Sequence, residues 1–153
     1  MPVRWALTLA MTVGVSLLIS SCGGDNGAAN TRAVIERAQT AYRERDAAAY
    51  AALFATDGKF DDLSAFADHV QGRGRVEEMY RLWFSNVVPA NHTYESKILI
   101  ADERMAVVQW VDEWSEDGKT VRLEGIGVFE VEDGLIVHDT EYYDSKPVER
   151  WLD

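Results

Sequence analysis

Between Ala106 and Asp144 apolar and polar positions alternate in three runs, AVVQWVDEWS, TVRLEGIGVFEV and LIVHDTEYYD. Two Asp-Gly pairs, Asp117-Gly118 and Asp133-Gly134, separate them. Asp-Gly between alternating runs is a hairpin signal, because the tight turn needs positive φ, which Gly adopts without steric conflict. The pattern predicts antiparallel strands over Ala106–Ser115, Thr120–Val131 and Leu135–Asp144. A period of two places Trp110, Asp112 and Trp114 on one face of the first strand. It does the same for Leu123 and Gly125, and for Asp139, Glu141 and Tyr143. Arg122, Glu124, Ile126, Val128, His138, Thr140 and Tyr142 fall on the opposite face.

Upstream the period changes. Val34, Ala38, Ala41 and Tyr42 recur at helical spacing within 31–45, with Thr31 or Asn30 as N-cap. Asp46 caps a second predicted helix, Ala47 to Phe54, burying Tyr50, Leu53 and Phe54, and Thr56-Asp57-Gly58 breaks it. A short strand is expected at Lys59 to Leu63, containing Phe60, Asp61 and Asp62. Phe66 and Val70 are expected to be pinned to the core. A third helix, Arg75 to Asn86, carries an apolar stripe of Val76, Met79, Tyr80, Trp83 and Val87 before Pro89. Thr93 to Ala101 reads as a strand, and Pro147 to Leu152 as a short terminal helix. Helices segregated from a run of strands give an α+β domain, a curved antiparallel sheet with helices on its concave face.

The N-terminus has a different pattern. Arg4 is followed by a nearly unbroken apolar run to Ile19, of secretory-signal length. It ends in Ile19-Ser20-Ser21-Cys22, which resembles a bacterial lipobox. That resemblance implies cleavage before Cys22 and lipid on its sulfur; the other reading is an ordinary signal peptide with an incidental Cys. Cys22 is the single cysteine in the sequence, so no intramolecular disulfide forms. The expected organisation is signal 1–21, flexible polar tether 22–30 and folded domain 31–153, lipid-anchored in a bacterial envelope and facing outside the cytoplasm.

Composition narrows the function. The formal net charge of −11 over 153 residues argues against nucleic-acid binding, which needs a basic face. No Walker-type loop or GxGxxG is present, and no cofactor is expected. His69, His92 and His138 lack ligand spacing, so no metal is expected.

Three local patterns then point to a family. They are the paired helices leading into LFATDGKFDD, the Gly-Arg opening of the third helix, and GVFEVEDGLI followed by EYYD. Over about Thr31 to Leu152 the chain resembles the SnoaL-like branch of the nuclear transport factor 2-like superfamily. This implies a cone-shaped α+β fold, which hosts hydrolases, isomerases, cyclases and non-catalytic binders alike. Its limonene-epoxide-hydrolase relatives carry Arg-x-Asp on the first meander strand. Trp110-Val111-Asp112 matches the Asp and not the Arg. Their second acid corresponds to Glu141, and their water-holding Tyr and Asn to Phe60 and Asp62. Two carboxylates are kept while the Arg and Tyr are lost, which argues against epoxide hydrolysis. The triad of ketosteroid-isomerase relatives finds no clear counterpart.

If Asp112 and Glu141 share a dry interior, one stays protonated near neutrality and the pair serves as general acid and base. An isomerase, cyclase or hydrolase would follow. Alternatively, Phe60, Asp62, Trp110, Trp114, Leu123, Gly125, Asp139 and Tyr143 line a pocket for a small hydrophobic or cationic molecule, without turnover. In a third reading the tryptophans are core residues bonded to satisfied carboxylates. The domain is then a structural, dimerising or partner-binding lipoprotein module. The sequence leaves all three open.

Overall fold

The computed structural model describes residues 24–64 and 69–148. The leader, the lipobox with Cys22, Phe66 and most of the expected terminal helix lie outside the described residues. Positions 147 and 148 form a turn.

The elements are α1 (Gly24–Arg43), α2 (Ala47–Ala51), β1 (Phe54–Asp62), β2 (His69–Gln71), α3 (Arg73–Asn86), β3 (Thr93–Ala101), β4 (Met105–Glu116), β5 (Lys119–Glu132) and β6 (Leu135–Tyr143). The six strands form one sheet in the order β2-β1-β6-β5-β4-β3. The meander β4–β5–β6 is antiparallel, as are β3–β4 and β1–β2. At both hairpin turns Asp and Gly take positive φ, 50° and 73° at Asp117 and Gly118, and 50° and 77° at Asp133 and Gly134.

Local patterning differs from the architecture in three places. First, β1 runs parallel to β6, with Phe60 opposite Asp139 and Asp62 opposite Glu141, so the sheet is not wholly antiparallel. Such pairing of distant segments leaves no turn signal between them. Second, α2 stops at Ala51 and Phe54 opens β1, because Leu53 and Phe54 are claimed by the β6 edge. There the Ile136 N–H donates to the Leu53 carbonyl at 2.8 Å. Third, Gly24–Asn30 is helical, where a tether was expected. Gly27 lies so close to the β3–β4 turn that a Cβ would stand 2.6 Å from Cβ of Glu103. Thr31 is fully buried inside α1, its hydroxyl donating to the Glu103 carbonyl at 3.0 Å, so it is an anchor rather than an N-cap.

The core lies between the helices and the inner sheet face. Val34, Ile35 and Ala38 of α1 and Val76, Tyr80 and Phe84 of α3 pack with Val108, Leu123, Phe129 and Ile136 of the sheet. Each fully buried aliphatic side chain contributes about 1.5–3 kcal/mol. Even-numbered β4 positions from Ala106 to Trp114 face inward, as the period-two reading requires.

Candidate functional site

The helices leave a cavity of about 430 Å³ against the inner sheet face. Five of the six tyrosines contribute to its wall: Tyr42, Tyr50, Tyr80, Tyr94 and Tyr143. The helices carry three of them, Tyr42 on α1, Tyr50 on α2 and Tyr80 on α3. The rings touch edge to face or tilted, with centroids 4.3 Å apart for Tyr50–Tyr80, 4.5 Å for Tyr42–Tyr94 and 5.5 Å for Trp110–Tyr143. Aromatic pairs at these separations add stability beyond the area they bury and make a stiff wall.

Glu141 and Asp62 provide carboxyls to this wall, side by side because their backbones are paired. The Trp110 indole donates to Oε2 of Glu141 at 2.7 Å. The Tyr143 hydroxyl donates to Asp62 at 2.7 Å, and the Ser64 N–H donates to its other oxygen at 2.8 Å. Directly behind, Asp139 is fully buried and accepts the Tyr50 hydroxyl at 2.9 Å. Asp139 and Glu141 project from the same side of β6, two residues apart. Burial pushes both carboxyls up from their ordinary range, and the Asp139 charge pushes Glu141 further. Two desolvated acids this close do not both ionise cheaply, so the pair keeps a proton near neutrality.

A second network stands behind Tyr42. Fully buried Asp112 accepts the Tyr42 hydroxyl at 3.0 Å and meets Nδ1 of His92 at 2.7 Å. Nε2 of His92 lies 3.2 Å from the Arg43 carbonyl, so both ring nitrogens face acceptor oxygens. The Trp83 indole donates to the Tyr42 oxygen at 3.0 Å. Burial raises the Asp112 pKa, and the hydrogen bonds from His92 and Tyr42 oppose it. Burial likewise raises Tyr42, Tyr50, Tyr80, Tyr94 and Tyr143, so the wall hydroxyls stay neutral. Among the described residues no group of His, Cys, Asp or Glu side chains is placed to hold a metal ion.

A model of the SnoaL-like domain matches residues 35–139. The chain belongs to the SnoaL-like family. No curated protein matches it. Among solved structures, the domain is similar to a putative isomerase from Bacillus subtilis, with TM-score 0.69, 14% identity and coverage of 83% of this chain and 95% of that one. It is similar to an epoxide hydrolase from M. tuberculosis that resembles limonene-epoxide hydrolase, with TM-score 0.61, 20% identity and coverage of 82% and 90%. It is also similar to a Catenulispora acidiphila protein of ketosteroid-isomerase-like fold in complex with trimethylamine, with TM-score 0.65, 16% identity and coverage of 77% and 90%. At these identities the likeness concerns the fold alone.

Within this SnoaL-like domain the residues singled out from sequence separate into groups. Phe60, Asp62, Trp110, Glu141 and Tyr143 line the cavity. Asp139 lies behind Glu141. Leu123 is core, and Gly125 is the floor beneath Trp110 and Tyr143. Trp114 lines a separate, smaller depression with Arg45 and Phe84. Asp112 and Glu141, expected as a pair, are not brought together. β5 lies between their strands, Asp112 is enclosed by Tyr42 and His92, and the carboxyls beside Glu141 are Asp62 and Asp139. Sequence reasoning missed Tyr42, Tyr50 and Tyr94 as wall residues. The repeated tyrosines on the helical faces were the available signal. For His92, in a loop, there was none.

Proposed function

We propose that the domain binds a small organic molecule in the aromatic cavity and that Glu141, backed by Asp139, acts on it as an acid–base pair. The observation that carries this reading is one carboxyl on the cavity wall, fixed by the Trp110 indole, with a second buried carboxyl beside it. A protonated Glu141 donates to a substrate oxygen, and the same pair accepts a proton once an enolic or allylic position is acidified. Isomerisation or cyclisation suits these parts better than epoxide opening. Phe60 has no hydroxyl to hold a water, and Trp110 occupies the place of the missing Arg. The trimethylamine complex of a structural relative supports the use of such cavities for small molecules.

Binding is tested with N-phenyl-1-naphthylamine, an uncharged fluorophore, titrated into the protein. Saturable binding is expected, and loss of it in Met79→Trp, which fills the cavity from α3. Absence of saturation in the unsubstituted protein would sink the reading. The acid–base role is tested by deuterium exchange at the α-carbons of β-tetralone. Exchange is expected to be faster with the unsubstituted protein than with Glu141→Gln, and equal rates would refute it.

From the sequence we further propose export and lipidation at Cys22, and self-association through the outer sheet face, where Ile126 and Val128 sit among charged neighbours. Mass spectrometry of the membrane fraction tests the first, with unmodified Cys22 as the contrary result. Light scattering tests the second, with a monomer as the contrary result.

A further inference from the structure

The cavity has a one-sided hydrogen-bond inventory. The Tyr42 hydroxyl donates to Asp112, Tyr50 to Asp139, Tyr94 to Gln39 and Tyr143 to Asp62. The indoles of Trp83 and Trp110 donate to Tyr42 and Glu141. Four of the five wall tyrosines and both wall tryptophans thus direct their protons into the wall. Toward the cavity this leaves tyrosine oxygen lone pairs and ring faces, both electron-rich, beside the Gln39 and Asn86 amides and the Tyr80 hydroxyl.

Charge points the same way. Asp62, Asp139 and Glu141 form a cluster with no Lys, Arg or His ion pair reaching any of them among the described residues. Asp139 is fully buried, with Glu141 as its carboxyl neighbour. Asp112, by contrast, has its counter-group in His92. Among the described residues the one basic side chain lining the cavity is Arg75, which is exposed. A buried acid cluster without a cation is costly, and a ligand that brings the cation removes that cost.

Resting on the reading that this cavity binds a small molecule, we infer that its ligand is an organic ammonium: an apolar body with a positively charged nitrogen, set among the rings over Glu141 and Asp62. Cation–π attraction to Trp110, Tyr143 and Tyr80 and the uncompensated carboxyls act together on such a group.

The test compares choline with 3,3-dimethylbutan-1-ol, its uncharged isostere, in which carbon replaces nitrogen. The readout is the shift of the Trp83 and Trp110 indole N–H resonances in the full protein. Choline is expected to bind roughly fivefold to tenfold more tightly. That preference should shrink in Glu141→Gln and in Asp62→Asn, each checked for native circular dichroism. Equal affinities, a preference for the alcohol, or a choline preference unchanged in every folded variant overturns the inference. If N-phenyl-1-naphthylamine binds and choline does not, the charge inference fails while the small-molecule reading stands. If none of the three binds, both fail.

Discussion

Trp110 and Glu141 stand on strands that are not neighbours, β4 and β6, yet the indole of one donates to the carboxyl of the other at 2.7 Å. The link crosses β5 where Gly125 pairs with both Trp110 and Tyr143, and Gly127 pairs with Glu141. Absent side chains on the middle strand let a β4 indole lie over it. A Cβ at Gly125 would stand 2.6 Å from Cζ2 of Trp110, so the glycine is part of the site's construction.

We predict that Gly125→Ala destabilises the domain by about 1–3 kcal/mol, the ordinary consequence of overpacking. Its Cβ would also meet the Tyr142 carbonyl at 2.5 Å, and backbone cannot rotate away. Gly127→Ala should be milder, because it meets side chains rather than backbone, the Glu141 carboxyl at 2.7 Å and the Phe129 ring at 2.8 Å. It should instead weaken cavity binding by displacing Glu141. Urea unfolding, with fluorophore titration alongside, separates the two. Equal stability losses would contradict the assignment.

Asp112→Ala is expected to be severe, on the order of 3–5 kcal/mol, because it leaves His92 and Tyr42 buried with no common acceptor. Tyr42→Phe removes one bond and should cost about 1 kcal/mol. The double variant Asp112→Ala/Tyr42→Phe should then lose less than the sum of the two. Strict additivity in urea midpoints at constant slope would show that the residues act independently.

Legibility of this molecule followed sequence distance. The meander was readable because each Asp-Gly turn is contiguous with the runs it joins, and strand parity brought Trp110, Glu141 and Tyr143 to one face. The parallel β1–β6 pairing joins segments about 80 residues apart, beyond the reach of any local turn signal. That pairing sets Asp62 beside Glu141. Parity also could not tell that Asp112 and Glu141, on one face, are separated by a strand and by the Trp110 ring. His92 reaches Asp112 from a loop, where no periodicity exists to place it.

On the acid side we predict a contribution from Asp61. On the outer part of the sheet it meets Nδ1 of His69 at 2.9 Å and Nε2 of His138 at 2.7 Å. The His69 hydrogen bond, then that of His138, lowers its pKa against a small opposing effect of burial. A lowered folded-state pKa gives stability that is present above the unfolded value near pH 4 and is lost as pH falls through the lowered one. Exposure limits it to under about 1 kcal/mol. Asp61→Asn should therefore melt below the unsubstituted protein at pH 6, and the gap should close below about pH 3. A gap independent of pH would rule out this origin.

The cavity acids act with the opposite sign. Burial raises the folded-state pKa values of Glu141 and Asp139, while the unfolded chain titrates both near pH 4. Below about pH 4 both states hold the protons and no penalty arises. As pH climbs from there through the raised values, the unfolded chain releases protons that the folded one retains, and stability falls. Replacing Glu141 by Gln keeps the shape and the Trp110 hydrogen bond but removes the proton. The variant should therefore melt close to the unsubstituted protein at pH 4 and clearly above it at pH 8, with a flatter profile between. Asp139→Asn should behave likewise, though Tyr50 constrains its orientation more tightly. Calorimetric melting from pH 4 to pH 9 checks this. Parallel melting profiles for Glu141→Gln and the unsubstituted protein would show that the carboxyl ionises freely. The cavity would then hold an ordinary solvated acid, with no proton kept for acid catalysis.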